Sequence, residues 1–301
     1  MQYFFGLTLL KSGIASLKKR IDLIDTATES IELEFFIYEL DSASKLITSR
    51  LIDASRRGVN VKILVDFSIS VFKLAPIYVS ELRKEGIDVR YYNTASNTRV
   101  ISIQHRNHRK LLVIDSQSVF IGGRNIGNDY FDLSANYNFL DTDVLIEGDI
   151  VQDIRQSFYS YWESNYASKP KENIGKSLDF FVLDEASESI YNFLRENHLE
   201  IEKLNFISTC NDLAYVTDNP GVFVKNRQVY KRMELILKEA NETIIAESPY
   251  LILRKDGLDL IHSLTKRGVS LEILTNSLKS TDAYYTVGAL SLNLGQIKDT
   301  K

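Results

Sequence analysis

The chain has 301 residues and a single cysteine, Cys210, so no disulfide can close within it and no cysteine cluster can hold a metal. Histidine is scarce too. His105, His108, His198 and His262 are scattered, and none has the spacing of a metal-binding pair. The chemistry expected is therefore metal-independent, with no cofactor. No apolar run is long enough to span a bilayer. The stretch from Met1 to Leu10 contains Phe4, Phe5, Leu7 and Leu10, but it lacks a basic start and a cleavage pattern. It is too short for a signal peptide and would suit only the stump of one. An excess of positive charge is also missing. Lys and Arg total 36 against 40 Asp and Glu, a net charge of -4, which argues against bulk nucleic acid as a partner.

What is present is an ordinary globular composition, long enough for one large domain or two lobes with a core. One stretch departs from the acidic average. Arg99, His105, Arg106, His108, Arg109 and Lys110 follow one another with no acid among residues 99–110. A basic pocket in a mildly acidic protein suits a specific phosphate, although a solvated basic loop would look the same.

That stretch opens into His108-Arg109-Lys110-Leu111-Leu112-Val113-Ile114-Asp115. On a strand, alternation puts His108 and Lys110 on one face, about 7 Å apart along the backbone. A neutral imidazole there can attack phosphorus while an ammonium holds the phosphate oxygens. A turn at Asp115-Ser116-Gln117 leads to a second strand, Val119-Phe120-Ile121, and then to Gly122-Gly123-Arg124-Asn125. The whole reads as a hairpin feeding a glycine turn. A lone histidine on an apolar strand is usually a packing residue, and it is the ordered combination that points to chemistry.

The chain also repeats itself. Ala27-Thr28-Glu29-Ser30-Ile31 leads to Arg56-Arg57-Gly58-Val59 and the strand Val61 to Val65. Ala240-Asn241-Glu242-Thr243-Ile244 leads to Lys266-Arg267-Gly268-Val269 and the strand Leu271 to Leu274. Both copies read strand, helix, glycine stop, strand, since glycine after two cations is a helix C-terminus signal. Such units imply parallel pairing with right-handed crossovers. The first lobe is expected to add a helix at Ile77 to Lys84, a strand at Val89 to Tyr92, the hairpin, a strand at Val144 to Ile146 and a helix at Asp149 to Trp162. A linker is expected from Ser168 to about Leu178, around Lys169-Pro170-Lys171. The second lobe is expected to open with an amphipathic stretch at Glu185 to His198 and to close with a helix from about Thr281.

The pattern H-x-K-x4-D followed by G-[GS]-x-N resembles the signature of the phospholipase D superfamily. Arg124-Asn125-Ile126-Gly127-Asn128-Asp129-Tyr130-Phe131 is similar to a stretch of bacterial cardiolipin synthases of the third type. So are Tyr161-Trp162-Glu163-Ser164, Glu247-Ser248-Pro249-Tyr250 and the run from Leu274 to Asp282. The resemblance covers about residue 20 to the end. It implies an α/β fold of two repeated lobes, each a mixed β-sheet flanked by helices. Domain bounds are expected at 1–168, a linker at 169–184, and a second lobe at 185–301 that stops before its own motif. Neither His198 nor His262 begins an H-x-K.

By the same resemblance, His108 is the nucleophile, and Lys110, Gly123 and Asn125 bind the substrate phosphate. Asp141 matches a carboxylate that orients the nucleophile, with Asp143 the weaker choice. Asp115 completes the motif, in a role more structural than chemical. The implied reaction is transfer of a phosphatidyl group from a phosphatidylglycerol-like lipid through a phosphohistidine. The implied place is the surface of the bacterial inner membrane. Tyr130, Phe131, Tyr137 and Phe139 are candidates to border a lipid-facing cleft, though four aromatics so close together also suit a core. Without a second histidine the 301 residues are expected to bind a headgroup phosphate but turn over poorly. Two alternatives stay open. One is a phosphodiesterase or nuclease, in which a homodimer would restore two histidines by symmetry. The other is a non-catalytic lipid-binding scaffold.

Overall fold

The computed structural model describes residues 6–67, 76–93, 106–170, 184–197, 213–221 and 227–298. They fall into two compact units, Met1–Tyr215 with Asn219–Val224, and Val216–Asp218 with Lys225–Lys301. Arg99, His105, His198, Cys210 and most of the expected linker lie outside the described residues.

An eight-stranded mixed sheet carries the first unit. Its strands are β1 (Gly6–Leu10), β2 (Ser30–Phe35), β3 (Asn60–Asp66), β4 (Asp88–Tyr92), β5 (Leu111–Ile114), β6 (Ser118–Gly122), β7 (Asp143–Glu147) and β8 (Ala167–Ser168). They lie in the order β1-β7-β6-β5-β2-β3-β4-β8, with β2, β3 and β4 parallel and the other pairings antiparallel. Residues 6–10, read from the sequence as a short apolar start, are thus an edge strand. Ser168, expected to open the linker, pairs with Tyr91.

Alternation along the strands supplies both faces with apolar side chains. Ile31, Leu33, Phe35, Val61, Ile63 and Val65 pack beneath α1 (Gly13–Thr26) and α2 (Ser42–Arg56). The helix at α3 (Pro76–Lys84) adds Val79 and Leu82 to the same core. On the other face Leu64, Leu111, Val113 and Val119 meet Val151, Ile154 and Phe158 of α4 (Ile150–Trp162).

The helix at α5 (Glu185–Glu196), expected to open the second lobe, belongs to the first unit. Leu194 is buried in its core, Ser187 Oγ donates to the Ser42 carbonyl at 3.1 Å, and Lys45 pairs with Asp184 at 2.7 Å. An amphipathic pattern states that a helix has an apolar face, not which surface receives it. Here the receiving surface is α2, and the first unit runs past the expected 169–184 boundary.

The second unit holds α6 (Gln228–Lys238), β9 (Thr243–Glu247), α7 (Lys255–Lys266), β10 (Ser270–Leu274) and α8 (Tyr284–Lys298). Strands β9 and β10 are parallel. The repeat is visible bond by bond. Gly58 and Gly268 both sit in the left-handed region, at φ +95° and +88°. Val59 N donates to the Ala54 carbonyl as Val269 N does to that of Leu264. Asn60 N donates to the Glu29 carbonyl as Ser270 N does to that of Glu242. Both glycines end a helix with a left-handed cap, as the paired cations and glycine predict. No helix among the described residues is long and apolar enough to cross a membrane.

Asp115 closes the β5–β6 hairpin at φ +50°. Its carboxylate accepts from Ser30 N (3.0 Å), Thr28 N (2.9 Å) and Glu29 N (2.8 Å), and from Thr28 Oγ1 (3.2 Å). Partial burial works against the charged form, but the bonds from Ser30, Thr28 and Glu29 prevail and hold the carboxyl below its ordinary value. Stability from this group is therefore present above the ordinary carboxylate pKa and lost as pH falls through the lowered one. Asp115→Asn keeps the shape, and asparagine tolerates the left-handed region. The variant should lose about 1–2 kcal/mol at neutral pH in a partly solvated setting. Denaturant unfolding at pH 7 and at pH 3 checks this. A gap between variant and wild type that does not shrink in acid would refute the charged clamp.

Candidate active site

The segment before β5 makes no ladder bonds, so something other than the sheet must fix it. The strand expected to carry His108 and Lys110 starts at Leu111, one residue beyond the lysine. The two side chains nonetheless meet. Lys110 Nζ lies 3.2 Å from His108 Nδ1 and donates to the His108 carbonyl at 2.9 Å. Lys110 is buried, while His108 is exposed as a whole, with its ring against that of Phe36 (centroids 4.7 Å apart). Loss of hydration on that inner side, then the Lys110 charge, push the imidazole down to about 4. His108 is thus neutral near pH 7 and keeps a lone pair for attack on an electrophile. Burial likewise pulls Lys110 down to about 8, opposed by the Asp141 carboxylate.

Strand β2 runs out at Phe35, and the next residues join the two halves of the motif. Phe36 touches His108, with Lys110 Nζ 5.5 Å above its ring. Ile37 N donates to Asn125 Oδ1 at 3.0 Å. Asn125 is buried, and fixing its carbonyl oxygen leaves Nδ2 as the group that can donate to an anion.

Gly122 and Gly123 are required by close approach. A Cβ on Gly122 would meet Asp143 Oδ1, and one on Gly123 would meet Asp141 Oδ1, each at 2.0 Å. The Gly123 N–H already donates to the Thr142 carbonyl at 3.2 Å. Gly123 therefore supplies room beside the site, and its amide is not a free phosphate donor.

The other expected site residues divide. Asp141 is held above its ordinary value by burial, against the pull of Arg124; Asp143 adds to the rise and Lys110 opposes it. It is coupled to Lys110 and makes no hydrogen bond to His108. Asp115 lies at the far end of β5, about 16 Å from Lys110 by strand rise, and serves the hairpin. Asp143 is fully buried. It pairs with Arg20 (3.1 Å) and Arg124 (3.3 Å) and accepts from Ser16 Oγ at 2.6 Å. Arg124 also donates to the Leu10, Lys11 and Tyr130 carbonyls, so the arginine of Arg-Asn-Ile-Gly is a framework residue.

Of the aromatics, Phe131 and Tyr130 are core, and Phe139 stacks on Tyr130 at 4.7 Å. Tyr137 alone of the four is exposed, together with Leu140 beside Asp141. Among the described cations of the basic run, Arg106 and Arg109 are engaged from below. Arg106 pairs with Asp66 (3.5 Å) and Arg109 with Glu34 (3.3 Å). Lys110, by contrast, has its Nζ on the His108 carbonyl and ring and no carboxylate within ion-pair distance among the described residues.

Phe36, Glu34, Asp66 and Asn107 were not expected here. A trace of the acids was legible, since Glu32 and Glu34 interrupt the apolar strand Ile31 to Phe35. Alternating glutamates on a strand ordinarily mark a solvent face. Both are fully buried here, Glu32 against Arg155 at 2.7 Å and Glu34 against Arg109.

Residues 21–162 match the family model described as cardiolipin synthase, PLD-like domain. The chain is 29% identical to an uncharacterized protein of Helicobacter pylori strain J99 over 93% of this chain and 61% of that protein. It is 26% identical to cardiolipin synthase C of Escherichia coli K12, over 92% of this chain and 64% of that protein. The fold is similar to that of phosphatidylserine synthase from Haemophilus influenzae Rd KW20. There the TM-score is 0.65 at 15% identity, covering 91% of this chain and 63% of that one. The chain thus spans a little over three-fifths of the length of these curated relatives. Residues 21–162 thus carry a PLD-like domain of the cardiolipin synthase kind.

Proposed function

We propose that this protein transfers a phosphatidyl group between alcohols through a phosphohistidine on His108, with a phosphatidylglycerol-like lipid as donor. The observation that carries the proposal is the contact of a neutral His108 with the buried Lys110 ammonium at 3.2 Å. A histidine beside a cation, held uncharged, suits attack on a phosphodiester anion. In the first step His108 forms a bond to phosphorus and the bond to the first alcohol's oxygen breaks. That alkoxide takes a proton from a general acid. In the second step an acceptor alcohol gives its proton to the conjugate base of that acid, its oxygen bonds phosphorus, and the bond to His108 breaks. Lys110 Nζ and Asn125 Nδ2 are assigned to the non-bridging oxygens, where charge grows in the transition state. The general acid is assigned to a second histidine motif of the kind the superfamily pairs with the first. The working place is the surface of the bacterial inner membrane, reached as a peripheral protein.

The test is transfer from labelled phosphatidylglycerol set beside cleavage of labelled single-stranded DNA. Lipid product with intact DNA supports the proposal, and DNA cleavage without lipid product would replace it with a nuclease. Lys110→Ala and Asn125→Ala should each lower turnover by about 10²-fold, as loss of an oxyanion donor does. Lys110→Arg should not rescue, because a planar fork does not replace a compact ammonium. The pH dependence follows from the same pair. kcat/KM should fall in acid as His108 gains a proton near pH 4, since imidazolium has no lone pair. It should fall again above about pH 8 as Lys110 loses its charge. Unchanged turnover in Lys110→Ala, or a flat profile from pH 5 to 10, would remove Lys110 from the phosphate site.

A further inference from the structure

We propose that Asn107 is the positioning residue of this site: its side chain and amide clamp the segment that carries His108 and Lys110 onto two buried carboxylates, Glu34 and Asp66. The proposal rests on the phosphoryl-transfer reading above. The residue before the nucleophile would ordinarily be a spacer. Here it is buried to 2% exposure while its neighbour His108 is exposed.

Three bonds define the clamp. Asn107 N donates to Asp66 Oδ2 at 2.9 Å. Asn107 Nδ2 donates to Glu34 Oε1 at 2.6 Å, and Arg109 N donates to Asn107 Oδ1 at 3.2 Å. Glu34 lies on β2 and Asp66 on the adjacent parallel strand β3, and both carboxylates are fully buried. The two flanking cations complete the seat, Arg106 on Asp66 and Arg109 on Glu34. Arg109 is held in turn by Ser157 Oγ at 2.7 Å and by the Tyr161 ring 4.2 Å from its guanidinium carbon.

The physical reason for such a device is the lack of a ladder. Residues 106–110 have no strand partner, so their backbone would otherwise be free to pivot at the entry to β5. Attack on phosphorus requires the nucleophile to stay within tenths of an ångström of its productive place, and 1 Å of misplacement costs about 10²-fold. Asn107 matches both needs. Its amide donor faces the carboxylate of one strand, its amide oxygen faces the chain two residues on, and its own N–H faces the second strand. Alanine would remove the first two bonds and leave the buried Glu34 Oε1 without its Asn107 donor.

The experiment uses the full-length protein with labelled phosphatidylglycerol, and four variants. His108→Ala tests the underlying reading, and turnover retained in it would overturn that reading whatever Asn107 does. With His108→Ala inactive, Asn107→Ala should lower kcat by about 10²-fold while KM moves by less than about threefold, because the substrate contacts remain. A kcat within about threefold of wild type would overturn the clamp. Asn107→Asp sets a third carboxylate against Glu34 and should be at least as slow. The double variant Asn107→Asp with Glu34→Gln reverses the donor and acceptor of the same bond and keeps the charge total. It should recover to within about tenfold of wild type. A well-folded double variant as slow as Asn107→Asp alone would show that Asn107 does not act through this bond, and the proposal would fall.

Discussion

His108→Ala should abolish transfer altogether, and with it any covalent phosphoryl adduct on the protein. No other nucleophile described here combines a lone pair at neutral pH, a buried lysine within hydrogen-bond reach and a neighbouring amide held open. The imidazole sits at about 4 because its hydration is reduced and Lys110 disfavours a second positive charge. Removing it takes away the proposed nucleophile and not merely a contact, so the loss should exceed the roughly 10²-fold expected for Lys110→Ala or Asn125→Ala. The fold should survive, because His108 is exposed, and its described contacts are the tilted ring of Phe36 and the Lys110 ammonium. Two measurements check this. Turnover of labelled phosphatidylglycerol should be undetectable in the variant. In the wild type, a phosphate that is labile in acid and stable in alkali should be trapped on the peptide containing His108. Substantial activity in the variant, or an adduct on another residue, would end the proposed mechanism.

Asp143→Ala should be the most damaging substitution for stability, at about 3–5 kcal/mol. Asp143 sits with no exposure between the guanidinium groups of Arg20 and Arg124, both also buried. Burial pulls Arg20 below its ordinary value, and the Asp143 carboxylate is what opposes that pull. Arg20 packs further between the Phe120 and Phe131 rings, 4.5 and 5.5 Å from its guanidinium carbon. Removing the one anion leaves two cations in a site built for a pair and a half, with Ser16 Oγ losing its acceptor. Breaking a buried pair in this way costs far more than the intact pair contributes, because the orphaned charge stays desolvated. Against a total stability of about 5–15 kcal/mol, such a loss is a large fraction of the whole. The single tryptophan, Trp162, lies buried in α4 and stacks on Phe158, so its fluorescence in urea reports the first unit directly. A loss below about 1 kcal/mol would mean that the site relaxes to admit water, and the network would not be a keystone.

The sequence by itself determined whatever depends on near neighbours in the chain. The glycine stops at Gly58 and Gly268, the strand-helix-strand repeats with their parallel pairing, and the hairpin from β5 to β6 are all local physics. A glycine after two cations ends a helix wherever the helix lies, and a run of β-branched residues pairs with what the crossover brings back. His108, Lys110 and the glycine turn were legible for the same reason, being packed into residues 108–125. Their partners were not. Asn107 finds Asp66 across 41 residues and Glu34 across 73, and Asp115 finds Ser30 across 85. Nothing in a strand reading Ile31-Glu32-Leu33-Glu34-Phe35 says that α4 will cover the glutamates, and solvent would have satisfied them as well as arginine does. Only the tertiary structure decided that they are buried, because burying a carboxylate is favourable only where a cation or a donor arrives from elsewhere in the fold. The same holds for α5, whose apolar face could be read but whose resting place on α2 could not. Period and capping belong to the chain, and the choice of partner surface belongs to the packed whole.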